Sequence, residues 1–130
     1  MAYKVFISSI RDDIELAKDL SRRLEDVGVS VFPVEKTVIP AEKILTTVNR
    51  NLRKADEVMM LLTKDSGASP GLVSELGMAY SMGKPITPIV VNLDPENLPP
   101  VYEDMRYIRY ADLSDYIAKL AARASLRKAG

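Results

Sequence analysis

The chain of 130 residues contains no cysteine, no histidine and no tryptophan. Without cysteine it has no disulfide, no thiolate nucleophile and no zinc–thiolate site. Without histidine it lacks a Ser–His–Asp triad, histidine metal ligands and the most common general base. Any catalysis must therefore depend on carboxylates, hydroxyls, lysine or arginine.

An excess of charge of one sign is also missing. The 18 basic and 18 acidic residues give a formal net charge of zero, so no overall field favours nucleic acid or anionic lipid. No apolar run approaches the roughly 20 residues of a membrane span, and the N-terminus lacks the apolar core of a signal peptide. We expect a soluble cytoplasmic protein with neither nucleic acid nor membrane as a partner, and a single domain over residues 1–130.

Strand-like and helix-like segments alternate along the whole chain. Five β-branched or apolar runs predict strands at residues 3–8, 29–33, 57–63, 85–91 and 105–111. Apolar residues that recur every three or four positions predict helices at 11–27, around 44–55, from 70 and at 113–126. This alternation predicts an α/β fold with a parallel sheet and helices on both faces. We expect a flavodoxin-like, doubly wound domain with strand order 2-1-3-4-5.

One acidic residue is isolated in an otherwise uncharged stretch. Glu75 is the only charged residue between positions 71 and 83. Its neighbours at helical spacing are small or apolar: Gly71, Leu72, Met78 and Ala79. Such a carboxylate lies either at the rim of a pocket or on a solvated helix face. Because its helix follows the third strand, the fold favours the pocket, since ligands of such sheets bind beyond the carboxyl ends of the strands.

Other polar residues fall in the loops at the same predicted edge. Ser8, Ser9 and Arg11 follow the first strand, where hydroxyls, backbone N–H groups and a guanidinium could hold phosphates or ribose. Arg11 is equally compatible with a solvated surface charge. Ser69, which can cap the third helix, is a further candidate for substrate binding. The scattered acids do not indicate a metal site.

Four blocks of the chain together resemble the Toll/interleukin receptor (TIR) domain family. They are "KVFISSIRDD", "GVSVFPVEKTVIPAEKI", "LRKADEVMMLLT" and "SPGLVSELGMAYSMGKPITPIV". The spacings agree without gaps within each block, and the match spans nearly the whole chain. Three positions depart from the family pattern: Gly71 replaces a frequent tryptophan, Ala41 a loop glycine and Val34 an aspartate. The missing tryptophan removes an aromatic wall.

The resemblance implies an activity and a ligand. In enzymatic TIR domains, the glutamate matched by Glu75 is required to cleave the nicotinamide–ribose bond of NAD⁺, which gives ADP-ribose or a cyclic form. NAD⁺ is then a substrate, and no cofactor is expected. Glu35 matches a loop acid of the family that can hydrogen-bond ribose. The resemblance also implies signalling or defence, with self-association or binding to similar domains.

Two other functions fit the residues. A non-catalytic TIR-like module could self-associate through the loop at 33–44 and neighbouring helices, and Gly71 and Val34 favour it. A nucleoside 2-deoxyribosyltransferase is also doubly wound, and "ELGMA" followed by "GKP" fits its pattern. In such an enzyme Glu75 would be a nucleophile that forms a covalent ribosyl ester. The TIR-like segment "VFPVEKTVIPAEKI" argues against the transferase.

Overall fold

The structure is a computed structural model that describes residues 2–34, 41–66, 69–102 and 104–129, excluding the side chains of 41–43, 95 and 127–129. The strands are β1 (Lys4–Ser8), β2 (Ser30–Val31), β3 (Glu57–Leu62), β4 (Ile86–Val90) and β5 (Ile108–Arg109). The helices are α1 (Ile14–Glu25), α2 (Ala41–Lys54), α3 (Pro70–Ser81) and α4 (Leu113–Ala129). Short 3₁₀ turns occupy Arg11–Asp13, Pro95–Asn97, Pro100–Tyr102 and Tyr110–Asp112.

The five strands form one sheet in the order β2-β1-β3-β4-β5, and every neighbouring pair is parallel. This confirms the predicted α/β, flavodoxin-like architecture. All six residues of β3 are buried, as expected for a continuously apolar strand that is covered on both faces.

Helices cover both faces of the sheet. The side chains of α1 and α4 pack with alternate strand residues such as Ile7 and Met59. Those of α2 and α3 pack with the intervening residues, such as Phe6 and Met60. Because side chains along a strand alternate between faces, Ser8 falls on the same face as Phe6, below α3.

Three elements are shorter than their sequence patterns predicted. The predicted first helix begins with the 3₁₀ turn Arg11–Asp13, and it ends before Gly28, which has a φ of 87°. The second strand begins only at Ser30, because the N–H of Val29 still donates to the carbonyl of Leu24 at 3.1 Å. The fifth strand has two residues, because a 3₁₀ turn starts directly after it.

A buried carboxylate at the amino end of β3 attaches α4 to the sheet. Glu57 is 1% exposed and accepts hydrogen bonds from the hydroxyls of Tyr3 at 2.6 Å, Tyr116 at 2.5 Å and Thr87 at 2.8 Å. The guanidinium of Arg123 lies 3.8 Å from the same carboxylate. Tyr116 and Arg123 belong to α4, so this network joins the helix to β3, β4 and the residue that precedes β1.

This network predicts a loss of stability at alkaline pH. Burial and the hydrogen bond to Glu57 raise the pKa of Tyr116 from 10.0 to about 12. Below pH 10.0 the phenol is protonated in both states, and its stabilising contribution is complete. Between pH 10.0 and about 12 the unfolded chain releases the proton while the folded chain keeps it, so the free energy of unfolding falls.

Urea unfolding across this pH interval tests the prediction. We expect Tyr116→Phe to show a shallower fall than the wild type. Some dependence should remain, because burial and Glu57 also raise the pKa of Tyr3. Tyr80→Phe is the matched control, since Tyr80 is 75% exposed. Equal slopes for the wild type and Tyr116→Phe would contradict the role assigned to this phenol.

Candidate functional site

The candidate site is built around the second turn of α3. The side chain of Ser69 caps this helix by accepting from the N–H of Leu72 at 3.4 Å, and Pro70 occupies the first helical position. Leu72, Leu76 and Ala79 pack against the sheet, and Glu75 lies on the same side of the helix with 7% of its surface exposed. The carboxylate is therefore buried rather than on a solvated face.

The hydroxyl of Ser8 donates a hydrogen bond to Oε2 of Glu75. Ser8 is the last residue of β1 and is fully buried. A buried carboxylate is costly unless hydrogen bonds replace its lost water, so this donor stabilises the carboxylate below α3. A carboxylate has about four lone-pair positions, so the hydroxyl of Ser8 occupies only part of its capacity to accept hydrogen bonds.

Glu75 lines a cavity of about 270 Å³ between α2 and α3. Its walls are apolar, with Ile44, Leu45 and Val48 from α2 and Met78 from α3. Gly71 and Ser74 complete the lining on the α3 side. Among the described lining residues, Glu75 is the only charged one. Because Glu75 itself is 7% exposed, water screens its charge less than it screens that of an exposed carboxylate.

A larger cavity of about 460 Å³ lies at the carboxyl ends of β4 and β5. Its charged lining residues, Asp94 and Arg109, are exposed. Exposed charges are screened by water. We therefore place the candidate site at the smaller cavity, where the carboxylate is buried and hydrogen-bonded.

The predicted substrate-binding residues have different positions. Ser8 lies beneath Glu75, whereas Ser9 is half-buried and Arg11 is exposed at the start of the 3₁₀ turn. Ser69 is half-buried at the helix cap. None of these four is among the described residues that line the cavity. Glu35 lies outside the described residues.

Sequence reasoning missed the walls that α2 contributes. The apolar periodicity around 44–55 predicted a helix but not that Ile44 and Leu45 line a cavity; Val48 is buried, whereas Leu45 is 63% exposed. Ile44 and Leu45 are adjacent, so they make the apolar stripe of the helix wider than core packing needs. This width was the sequence signal that could have indicated a cavity wall. Also missed was the hydrogen bond from the hydroxyl of Thr63 to Asp13 at 2.9 Å, which joins the end of β3 to the entry of α1.

The described ranges contain neither a membrane-spanning helix nor a cluster of metal-ligating acids. None of the helices there has both the length and the apolar character to cross a membrane. The same residues contain no group of three or more acidic side chains placed to hold a metal ion.

Comparison with known proteins identifies a family. The family model for the TIR domain matches residues 5–126. No curated protein sequence matches the chain.

Solved structures share the fold at low identity. The TIR domain of a Toll-related receptor from Hydra magnipapillata superimposes with a TM-score of 0.70 at 19% identity, covering 98% of both chains. A metazoan TIR-STING receptor from C. gigas superimposes with a TM-score of 0.74 at 20% sequence identity, covering 90% of this chain and 38% of the receptor chain. A CMP N-glycosidase from Clostridium botulinum superimposes with a TM-score of 0.67 at 21% sequence identity, covering 92% of this chain and 98% of the glycosidase chain. At these identities the similarity establishes the fold.

The contact between Ser8 and Glu75 predicts a measurable stability effect. Ser8→Ala removes the hydroxyl donor from a buried carboxylate, and we expect the free energy of unfolding to fall by about 2 kcal/mol. Ser74→Ala is the control, because Ser74 adjoins Glu75 but is exposed, and it should change stability by less than about 0.5 kcal/mol. Urea unfolding measures both. Equal stabilities of the two variants would show that the hydrogen bond does not hold Glu75.

Proposed function

We propose, because the chain belongs to the TIR domain family, that it cleaves the N-ribosidic bond of NAD⁺ with Glu75 as the catalytic carboxylate. The products are nicotinamide and ADP-ribose or a cyclic form. The observation that carries the proposal is the position of Glu75, which is buried, hydrogen-bonded to Ser8 and part of a cavity lining.

The chemistry needs one carboxylate. When the bond between C1′ and nitrogen breaks, its electron pair goes to the nitrogen, and nicotinamide leaves as a neutral molecule. No general acid is required, which suits a protein without histidine or cysteine. The ribosyl fragment gains oxocarbenium character, and a nearby carboxylate stabilises that charge. A water, or a hydroxyl of the same substrate in cyclisation, then bonds to C1′ and loses a proton.

The electrostatic stabilisation by one carboxylate is large enough to affect the reaction rate. A carboxylate about 4 Å from the developing cation, at an effective dielectric constant near 20, contributes about 4 kcal/mol. This corresponds to roughly a thousandfold in rate. The apolar walls Ile44, Leu45 and Met78 limit the water that would screen this attraction.

Ser8 serves as a positioning residue in this proposal. It is fully buried beneath Glu75, so its hydroxyl holds the carboxylate rather than the substrate. We propose Ser9, Arg11 and Ser69 at the sheet edge for the ribose and phosphates, together with Glu35, which lies outside the described residues. We also propose that the domain acts in the cytoplasm. It associates there with further copies of itself or with other TIR domains. The reaction needs no cofactor besides its substrate.

A second candidate is an N-glycosidase that acts on a pyrimidine nucleotide. None of the described residues of the cavity is aromatic, so a stacking wall for nicotinamide is not evident there. A chain that this one matches over 98% of its length is a CMP N-glycosidase. Both candidates break the same type of bond and assign the same role to Glu75, so their difference lies in the base that leaves.

Substitution of Glu75 tests the proposed role. Purified protein at high concentration is incubated with NAD⁺, and released nicotinamide is measured by chromatography. We expect Glu75→Gln to lower the rate at least about a hundredfold, because the amide keeps the shape but not the charge. Glu15→Gln is the matched control, since the side chain of Glu15 is 85% exposed on α1, and its rate should equal that of the wild type.

The outcomes separate the candidates. Full activity in Glu75→Gln would overturn the catalytic role of this residue. Cytosine release from cytidine 5′-monophosphate without nicotinamide release would select the pyrimidine nucleotide, and base exchange between deoxynucleosides would select a deoxyribosyltransferase. No turnover of any substrate, including in the clustered protein, would select the non-catalytic association module.

A further inference from the structure

Gly71 occupies an unusual place in α3. It is the second residue of the helix, lies one turn before Glu75 on the same side, and lines the cavity. The residue is exposed, so its missing side chain leaves space at the opening of the cavity rather than in the core.

The backbone does not require a glycine at this position. Gly71 is helical, and the glycines with positive φ in the described chain are Gly28 and Gly83. A Cβ built on Gly71 would have one described atom within 4 Å, Oγ of Ser69 at 3.8 Å, which is an ordinary van der Waals contact. Since glycine destabilises a helix relative to alanine, packing and backbone geometry give no reason for it.

The same helix contains a second glycine that serves as a comparison. Gly77 is also exposed and helical, and a Cβ there would have no described atom within 4 Å. Unlike Gly71, it is not among the described residues that line the cavity. A side chain added at either position meets no packing obstacle, but of the two positions only 71 borders the cavity.

We propose that Gly71 is the specificity-determining residue of this site, and that it leaves the room in which a single-ring base lies next to Glu75. This rests on the proposed N-ribosidic cleavage and names the part of the substrate that the cavity receives. A volume of about 270 Å³ is near the lower end of the range for small-molecule sites, which begins at roughly 300 Å³, and is small for a whole dinucleotide. The base and its glycosidic carbon therefore enter, and the phosphates remain at the sheet edge.

The walls determine how the base is selected. Leu45 and Met78 offer aliphatic and thioether surfaces, which accept many flat rings and discriminate mainly by size. A side chain at position 71 would take up volume at the lining that these walls and the carboxylate share. The size of residue 71 thus limits the size of the leaving base.

A matched series of variants tests this role by activity. Gly71→Ala, Gly71→Leu, Gly77→Ala and Gly77→Leu are compared by kcat/KM with NAD⁺ and with cytidine 5′-monophosphate. We expect both Gly77 variants to remain within about twofold of the wild type, and Gly71→Leu to lose at least about a hundredfold through displacement of the base. Gly71→Ala should lie between them. Wild-type activity in Gly71→Leu would overturn the proposal.

Thermal unfolding distinguishes a variant that has lost activity from one that has failed to fold. Gly77→Ala should raise Tm by about 2–4 °C, since alanine favours the helix, and Gly71→Ala should not lower it. If Gly71→Leu fails to fold, the Gly71→Ala and Gly77→Ala pair still decides the question. Equal kcat/KM values in those two variants would then contradict the proposal.

Binding gives a readout that does not need turnover. In the Glu75→Gln background, cytidine 5′-monophosphate and NAD⁺ are titrated while the methyl signal of Met78 is followed by NMR. We expect a saturable shift, unchanged by Gly77→Leu and abolished by Gly71→Leu, and no saturable shift with inosine 5′-monophosphate, whose base has two rings. Binding with this pattern but without cleavage would refute the proposed activity and support the role of Gly71. The role of Gly71 would be overturned if neither cytidine 5′-monophosphate nor NAD⁺ shifted the Met78 signal. It would also be overturned if Gly71→Leu showed the same shift as the parent variant.

Discussion

A carboxylate taken out of water needs a hydrogen-bond donor, and this requirement joins α3 to β1. The donor is the hydroxyl of Ser8, and the acceptor is Oε2 of Glu75. Strand residues alternate between faces, so only a residue on the Phe6 side of β1 can reach α3, and Ser8 is the last such residue before the strand ends. The contact holds the carboxylate at the cavity that α2 completes.

The two buried glutamates among the described side chains, Glu57 and Glu75, have different surroundings, and this distinguishes the structural role of Glu57 from the role that we propose for Glu75. Glu57 receives three hydroxyl donors from the sheet and α4, with Arg123 nearby. It lies at the amino end of β3, away from the edge where such sheets bind ligands. Glu75 borders a cavity whose other described lining residues are uncharged. Hydrogen bonds from several elements suit an anchor, whereas a position at the lining of a cavity suits the reacting group that we propose.

Local sequence patterns predicted the elements and the order of the sheet, but not the lengths of the short strands. The alternation of β-branched runs with helical periodicity was enough for the sheet order, because parallel strands joined by right-handed crossovers allow few arrangements. The short β2 and β5 were not predictable in length, since pairing with a neighbour decides where a strand ends. At the site, the isolation of Glu75 was readable from its neighbours. Ser8 was predicted to contact ribose or phosphates, whereas its hydrogen bond to Glu75 could not be predicted, because this contact depends on α3 packing above β1.

By itself, the sequence determined which chemistry is possible and which elements form. It contains no histidine or cysteine and has one charged residue over positions 71–83, and these facts need no coordinates. Only the tertiary structure decided that Ser8, 67 positions away, is the donor to that residue. It also decided that Ile44 and Leu45 of α2 form the opposite wall of the cavity. The physical reason is range: hydrophobic periodicity describes a few neighbouring residues, whereas contacts between distant segments depend on how the helices pack on the sheet.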